Sequence, residues 1–223
     1  MTEHVNVVIA TPGHSLMSQY VASLLSTLTF LSKKNITWAF ANKYCSHVGD
    51  AREITIGGDD PQDANDSRPF KGEITYDKII WIDSDIAWTP EDFLKLYESE
   101  KDIVSGAYLL QNGQVVAYRE TFKNPYSYDE VLKMNEPVKV NSVGFGFVAI
   151  KQGVFEKLTR PWFQQTTIPL KQQDGTDYDF PVMGEDISFC IRAANAGFDI
   201  WLDPTIKVTH HKMMTLSWQG VKP

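Results

Sequence analysis

Cysteine is scarce in this sequence, and its absence limits how the fold can be stabilised. The 223 residues include only two cysteines, Cys45 and Cys190, and no pair has the CxxC spacing of a zinc site. Two cysteines cannot form the disulfide framework on which small secreted domains depend. We therefore expect both thiols to be reduced and the chain, which is long enough to bury a large core, to be stabilised by packing.

Long apolar runs are absent as well. The uncharged stretch from His14 to Ser32 has helical periodicity, but it contains too many Ser, Thr and Gln residues to span a bilayer. No basic segment precedes it, as a secretory signal peptide would require. We therefore expect a soluble protein of the cytoplasm.

The sequence also lacks an excess of basic residues. Its formal net charge is −7, which argues against nonspecific binding to nucleic acid or to anionic membranes. An anionic ligand held through a metal ion stays compatible with this charge. The apolar share of 43% and the charged share of 22% are typical of a globular domain, and the length fits a single one.

Strand and helix patterns alternate along the chain. Strands are predicted at residues 5–10, 36–40, 78–86, 102–108, 115–118, 138–140, 145–150, 199–202 and 206–209. Helices are predicted at residues 15–31, 51–56, 89–97, 152–158 and 184–197, and a polar loop at 57–69. The first strand, helix and strand form a unit that is expected to be parallel and right-handed. We predict an α/β fold with a mixed, mainly parallel central sheet flanked by helices.

The stretch from Lys78 to Ile86 is the most informative part of the sequence. Four apolar residues lead into Asp83-Ser84-Asp85, a DxD motif. If the strand continues to Asp85, both carboxylates face one point at its carboxyl end, where open parallel sheets bind ligands. Two carboxylates at one point repel each other unless a cation or a proton lies between them. The motif therefore predicts a divalent metal ion that holds a phosphorylated ligand.

Helix capping does not explain these two aspartates. Thr89-Pro90 already provides a cap and a proline at the first helical position of the next helix, with Asp92 placed to complete a capping box. Asp83 and Asp85 are thus left for another purpose.

Two further features could contribute to the same site. Glu185-Asp186 begins a helix, and His210-His211 follows the last predicted strand. Carboxylates with one imidazole suit Mn²⁺, and suit Mg²⁺ less well. Each feature also has a simpler interpretation, since acids stabilise helix N-termini and histidines near a chain end are commonly solvated.

The arrangement of these motifs resembles the nucleotide-sugar glycosyltransferases of the GT-A fold. The similarity extends from about Val5 to His211, and small stand-alone members occur in bacteria, phages and large DNA viruses. The segments that resemble the family are 76–86, 89–91 and 101–108 around the DxD motif, 143–147 with 161–163 on the acceptor side, 184–190 with 196–198 in its "ED" helix, and 206–210 in its closing strand.

The resemblance implies both an architecture and a reaction. It implies one GT-A (Rossmann-like) domain over residues 1–223, with a nucleotide-binding half of about 1–110 and an acceptor-binding half of about 111–223. It also implies metal-dependent transfer of a hexose from a nucleoside-diphosphate sugar, which we expect to be a UDP-sugar, to a hydroxyl of a glycan or other acceptor. Whether the transfer inverts or retains configuration is left open, as is the oligomeric state.

Metal and diphosphate ligands follow from the same resemblance. Asp85 would bind Mn²⁺ or Mg²⁺ directly, and Asp83 would contact the ribose or complete the metal shell, with Ser84 between them at the donor. His210 would be the remaining protein ligand, and His211 is the alternative if the register shifts by one residue.

Other positions that match the family are expected to contact the nucleotide. Thr11 and Pro12, at the end of the first strand, would line the base pocket. Arg52 matches the arginine of an "AR-N" element and would contact the donor, although Glu53 replaces the usual asparagine there.

The carboxylates of the "ED" helix are the expected catalytic groups. Asp186 matches the catalytic base of inverting members, and Glu185 would bind the acceptor or support the site.

Three other classes of protein fit the sequence less well. A DxD phosphatase places its motif near the amino terminus, with Thr or Val where this chain has Ala87. A sugar nucleotidyltransferase would carry a Gly- and Arg-rich loop in place of residues 11–15. A non-catalytic sugar-binding module would not need all three acidic and imidazole features.

Overall fold

The computed structural model describes residues 3–60, 64, 66–120, 123–171, 175, 177–181, 184–212, 215–217 and 220–222. The helices are α1 (Ser18–Lys33), α2 (Val48–Gly57), α3 (Pro90–Glu98), α4 (Tyr128–Leu132), α5 (Val154–Lys157) and α6 (Glu185–Asn195), with a 3-10 turn at Pro69–Gly72. The strands are β1 (Glu3–Pro12), β2 (Trp38–Lys43), β3 (Ile74–Ile82), β4 (Ile86–Ala87), β5 (Ile103–Ala107), β6 (Gln114–Glu120), β7 (Lys123–Ser127), β8 (Val138–Val140), β9 (Ser142–Val143), β10 (Phe147–Lys151), β11 (Thr167–Lys171), β12 (Asp177–Pro181), β13 (Ile200–Lys207), β14 (Thr209–His210), β15 (Thr215–Ser217) and β16 (Gly220–Lys222).

A seven-stranded sheet in the order β2-β1-β3-β10-β5-β13-β8 forms the centre of the molecule. Strands β2, β1, β3, β5 and β13 run in one direction, and β10 and β8 run against them. The predicted mixed, mainly parallel α/β sheet is therefore confirmed. The carboxyl ends of these five strands meet at one edge, which is where such sheets bind ligands.

The apolar run of β3 is explained by its central place in the sheet. Ile79 and Trp81 belong to the core cluster on one face, and Ile80 and Ile82 belong to the cluster on the other. All four side chains are fully buried. Burial of each such side chain contributes roughly 1.5–3 kcal/mol, so these positions anchor the strand whose end carries the DxD motif.

Strand β3 ends at Ile82, which corrects the expectation that it continues to Asp85. The Asp83 amide donates to the Gly146 carbonyl at 3.0 Å, and the Ile86 amide donates to the Asp83 carbonyl at 3.0 Å. The second bond closes a tight turn over residues 83–86, so strand alternation does not set the directions of the two carboxylates. The turn leads into β4, which pairs with β14 and brings His210 opposite Ile86.

The predicted cap of α3 is confirmed. The Thr89 hydroxyl accepts from the Asp92 amide at 3.2 Å, and the Asp92 carboxylate accepts from the Thr89 amide at 3.3 Å. Phe93 and Leu96 are fully buried beneath this helix. Because α3 has its own cap, the aspartates of the DxD turn are free for other contacts.

The first helix begins later than predicted. It starts at Ser18 after Met17, and Ser15 does not cap it. The Met17 amide donates instead to the Ser84 carbonyl at 3.1 Å, so the preceding loop is held against the DxD turn. Tyr20 and Leu31 of this helix are fully buried, and Leu24 and Leu28 pack against the same core cluster.

Two details of the second half also differ from prediction. Helix α6 covers Glu185–Asn195, shorter at both ends than the predicted 184–197, and it buries Phe189, Cys190 and Ala193. The predicted strand 199–202 and the first half of the predicted strand 206–209 lie in one strand, β13, whose pairing with β5 is interrupted between Asp203 and Lys207, and Thr209 begins β14. Pro204 lies in this irregularity, where a missing amide costs no ladder hydrogen bond.

The predicted polar loop forms neither helix nor strand at residues 58–60, 64 and 66–68, and residues 61–63 and 65 lie outside the described part of the chain. Across the described ranges, each helix falls short of the length or the apolar content that a membrane span requires.

Candidate active site

A cleft of about 370 Å³ opens at the carboxyl edge of the sheet. It is lined by Pro12 at the end of β1, by the DxD turn after β3, by Tyr108 after β5, and by residues of β14 and α6. The full lining is Pro12, Val48, Asp83, Ser84, Asp85, Tyr108, Leu110, Val116, Asp186, His210 and Lys212. Six of the ten predicted site residues thus share one cleft.

Arg52 lies beneath this cleft and joins its two sides. Its Nη2 donates to Asp83 Oδ1 at 2.9 Å, and its Nε donates to Glu185 Oε1 at 2.9 Å. The guanidinium carbon lies 5.6 Å from the centroid of the Trp81 ring and 5.3 Å from that of Phe145. One buried cation therefore connects the end of β3 with the first turn of α6. We name these three residues, Arg52, Asp83 and Glu185, the arginine clamp.

Arg52 is only 3% exposed, and no described residue accepts a hydrogen bond from its Nη1. Its predicted contact with the donor stays a prediction, and in the structure it lies against the carboxylates that line or support the cleft.

The carboxylate of Asp186 has an unusual charge state. Burial, and then the nearby Glu185, raise the pKa of Asp186 to about 7, although Arg52 acts in the opposite direction. Its Oδ1 accepts from the Ile187 amide at 2.8 Å. Gly184 precedes it with φ +94°, and a Cβ there would collide with Asp186 Oδ1. A carboxylate that titrates near neutral pH on the wall of a cleft can accept a proton from a bound hydroxyl.

On the other side of the cleft, Asp85 is surrounded by positive charge. Its Oδ2 accepts from Lys212 Nζ at 2.7 Å and lies 3.2 Å from His210 Nε2. Although burial opposes the change, the hydrogen bonds from His210 and Lys212 lower the pKa of Asp85 to about 2. Asp85 is therefore ionised at neutral pH.

The orientation of the His210 ring is fixed by its second nitrogen. Nδ1 lies 2.9 Å from the Leu109 carbonyl, which can only accept, so Nδ1 carries a proton and Nε2 faces Asp85. His211 contributes its backbone amide, which donates to the Asp85 carbonyl at 2.8 Å. Of the two predicted alternatives, the structure places the His210 ring beside the carboxylate.

Asp85 and His210 suit a divalent cation. Two atoms 3.2 Å apart can bind one ion at the usual metal–oxygen and metal–nitrogen distances of about 2.0–2.2 Å. Lys212 already neutralises the same Asp85 oxygen, which indicates that the position attracts positive charge. No group of three or more His, Cys, Asp or Glu side chains that could hold a metal ion is present in the described ranges. Asp85 and His210 would thus supply two ligands and leave the other positions of a metal to a bound ligand, since Oδ1 of Asp83 is engaged by Arg52.

The two residues predicted to line the base pocket, Thr11 and Pro12, lie at different depths. Pro12 lines the cleft, whereas Thr11 is fully buried and its hydroxyl bonds that of Tyr20. Asn42 Nδ2 donates to the Thr11 carbonyl at 2.8 Å and to the Gly13 carbonyl at 3.1 Å. Thr11 therefore supports this wall of the cleft from below.

Glu53, which replaces an expected asparagine, has a clear structural role. Its Oε1 accepts from Arg160 Nε at 2.8 Å and its Oε2 accepts from the Phe163 amide at 3.1 Å. Phe163 stacks on Phe189 of α6 with ring centroids 5.3 Å apart. The glutamate thus holds the 160–163 loop against the rest of the fold.

Sequence reasoning missed Tyr108, Lys212 and the apolar lining residues Val48, Leu110 and Val116. Tyr108 could have been found, because it ends a strand predicted to reach the same edge as the DxD motif. Lys212 follows His210 by two residues, but sequence offers no signal that its side chain returns to Asp85.

No protein-family model and no curated protein matches this sequence. Solved structures match it over nearly its whole length. The STIV protein A197 has a TM-score of 0.52 at 19% identity, over 95% of this chain and 97% of that chain. The catalytic domain of Drosophila beta1,4-galactosyltransferase 7, solved with xylobiose, has a TM-score of 0.51 at 12% identity, over 95% of this chain and 71% of that chain.

GalNAc-T7, solved with UDP, GalNAc and Mn²⁺, has a TM-score of 0.51 at 14% identity, over 98% of this chain and 45% of that chain. This chain therefore spans less than half of the GalNAc-T7 chain. At these identities the likeness establishes the fold, and the chain has the GT-A fold of these glycosyltransferases.

Replacing Arg52 tests the arginine clamp. We expect Arg52→Met to lower the free energy of unfolding by about 3–5 kcal/mol, because Asp83 and Glu185 would lose their shared cation. Urea denaturation measures the change. Arg68→Met is the matched control, since Arg68 pairs with Asp66 at the surface with 66% of its side chain exposed, and we expect a loss of about 1 kcal/mol or less. Equal losses in the two variants would contradict the clamp.

The raised pKa of Asp186 predicts a pH-dependent stability. The folded protein keeps this proton up to about pH 7, whereas the unfolded chain loses it near 3.8, so folding becomes less favourable as pH rises between these values. The Asp186→Asn variant has no ionisable group at this position, so it does not lose stability in this way as pH rises. We expect the stability difference between variant and wild type to shift in favour of the variant, by up to about 4 kcal/mol, from about pH 4 to about pH 8.

Urea denaturation at both pH values checks this shift, with Asp129→Asn on the exposed surface of α4 as the control. A pH-independent difference for Asp186→Asn would show that this carboxyl group is not perturbed.

Proposed function

We propose that this protein is a metal-dependent glycosyltransferase. It would transfer a hexose from a nucleoside-diphosphate sugar, expected to be a UDP-sugar, to a hydroxyl of a glycan or other acceptor. The observation that carries this proposal is the placement of a cation-attracting pair, Asp85 and His210, and a carboxylate with a pKa near neutral, Asp186, in one cleft of a GT-A sheet. The free thiols of Cys45 and Cys190 suit an enzyme of the cytoplasm.

The known structures support the choice of ligands. GalNAc-T7 was solved with UDP, GalNAc and Mn²⁺, and beta1,4-galactosyltransferase 7 was solved with xylobiose. The donor chemistry of Asp85 and His210, one oxygen and one nitrogen, is compatible with Mn²⁺ and less so with Mg²⁺.

Metal binding and proton transfer would be performed by different residues. Asp85 and His210 would hold the metal, which when bound supplies positive charge to the departing diphosphate. Asp186 would accept the proton of the acceptor hydroxyl as that oxygen attacks the anomeric carbon. Arg52 keeps Asp83 and Glu185 in place beneath the reacting groups.

A single base is what an inverting transfer requires. We therefore favour Asp186 as the base, with Glu185 as its supporting neighbour. A retaining transfer would use the same metal position with a different geometry at the sugar, and the anomeric configuration of the product distinguishes the two outcomes.

Binding of UDP tests the metal assignment. We expect UDP to raise the melting temperature of the protein only when Mn²⁺ is present, because a ligand that binds only the folded state stabilises it. Asp85→Ala should lose this increase. Asp102→Ala should keep it, since Asp102 lies before β5, at the opposite end of that strand from the cleft. An unchanged increase in Asp85→Ala would overturn the metal assignment.

Turnover tests the base. We expect Asp186→Asn to keep the Mn²⁺-dependent response to UDP but to transfer sugar about 100-fold or more slowly, since general bases typically contribute a factor of 10²–10⁴. UDP release from a panel of UDP-sugars with acceptor glycans measures the rate, with Asp129→Asn as the control. Full turnover by Asp186→Asn would remove it as the base. Phosphate release from simple phosphomonoesters would instead favour a phosphatase.

A further inference from the structure

Tyr108 is a cleft residue to which the proposed mechanism assigns no task. It follows β5 directly, is 6% exposed, and lines the cleft together with the DxD turn, Asp186 and His210. Its ring packs edge-on against the His210 ring with centroids 5.5 Å apart. The side chain is therefore fixed on the wall between the metal-binding side and the base side.

The chain leaves space for the Tyr108 hydroxyl by placing glycines around it. A Cβ on Gly144 would collide with the hydroxyl oxygen, and a Cβ on Gly146 would lie 2.7 Å from Cζ and 2.9 Å from the oxygen. No larger residue fits at either position unless the tyrosine moves. The 144–146 segment is thus shaped to hold the phenol where it is.

The hydrogen bonding of this hydroxyl is incomplete. The Gly146 amide donates to its oxygen at 3.1 Å. Among the residues that the structure describes, none accepts the phenolic proton in return. The phenol is a positioned hydrogen-bond donor that lacks an acceptor.

The position of Tyr108 indicates which acceptor it would meet. In the proposed reaction the diphosphate lies at Asp85 and His210, and the attacking hydroxyl lies at Asp186. The transferred sugar joins these two groups, because its anomeric carbon is bonded to one and attacked by the other. A neutral donor on the wall between them suits a sugar hydroxyl, whereas the Lys212 ammonium suits phosphate.

We propose that Tyr108 is a specificity-determining residue whose hydroxyl donates a hydrogen bond to an oxygen of the transferred sugar. This inference rests on the proposed function. Sites built to hydrogen-bond a substrate hydroxyl discriminate strongly against analogues that lack it, because the polar group of the site is then left unpaired.

The test compares the affinity for UDP with the affinity for UDP-sugars in the presence of Mn²⁺, measured by calorimetry. The probes are UDP and the UDP forms of glucose, galactose, N-acetylglucosamine and N-acetylgalactosamine. In Tyr108→Phe we expect the affinity for UDP to be unchanged and the preferred UDP-sugar to bind about 10-fold more weakly, as for loss of one hydrogen bond.

Tyr76→Phe is the matched control. Tyr76 is also buried, and its hydroxyl donates to Glu156 at 2.8 Å, outside the cleft. Its replacement should lower stability without changing the difference between UDP and the UDP-sugar. A purely structural role of Tyr108 would make the two variants alike and would overturn the proposal.

Deoxy analogues of the preferred donor give a second measurement that also works on the wild-type protein. Removal of one particular sugar hydroxyl should weaken wild-type binding about 10-fold and leave binding by Tyr108→Phe unchanged. The deoxy analogue and the Phe variant each remove one partner of the same hydrogen bond, so the second change has nothing further to break. If no single hydroxyl has this effect on the wild type, the proposal is overturned even where the variant does not fold.

The remaining outcomes are also decisive. Equal weakening of UDP and UDP-sugar in Tyr108→Phe would place the phenol at the nucleotide and overturn the proposal. Failure of the wild type to bind UDP at all with Mn²⁺ would refute the proposed function itself, and the inference with it.

Discussion

The arginine clamp is the interaction on which the cleft depends. Arg52 is almost fully buried, and its charge is balanced by Asp83 at the end of β3 and Glu185 at the start of α6. A buried cation with one carboxylate removed would be strongly destabilising, so the three groups hold one another in place. Asp186 follows Glu185 directly, which means that the clamp also sets the position of the candidate base relative to the DxD turn.

Helix α2 supplies a second buried ion pair through Glu53, the residue after Arg52. Glu53 binds Arg160 and the Phe163 amide, so the same helix fixes both the floor of the cleft and the 160–163 loop. Salt bridges of this kind add little net stability compared with apolar packing, but they allow few alternative arrangements once formed. The replacement of an expected asparagine by Glu53 is therefore a structural change, and it leaves Arg52 in its place.

On the opposite wall of the cleft, the carboxylate charge is compensated in a different way. Asp85 is partly exposed, and the charge of Lys212 compensates its own, with His210 Nε2 3.2 Å away. In the proposed reaction a metal ion would take over the oxygen that Lys212 contacts, and the ammonium would then be free beside the diphosphate. One wall thus has a buried and permanent cation, and the other has a position where the cation can exchange.

The sequence by itself determined the elements whose causes are local. The apolar run before Asp83 predicts a central strand, Thr89 and Asp92 predict a capped helix, and periodicity predicts the α/β class. Tertiary structure alone decided the turn that separates the DxD carboxylates, the return of Lys212 to Asp85, and the meeting of Arg52 with partners at positions 83 and 185. Periodicity and capping reflect burial and hydrogen bonds between near neighbours, whereas contacts between distant residues depend on how the elements pack.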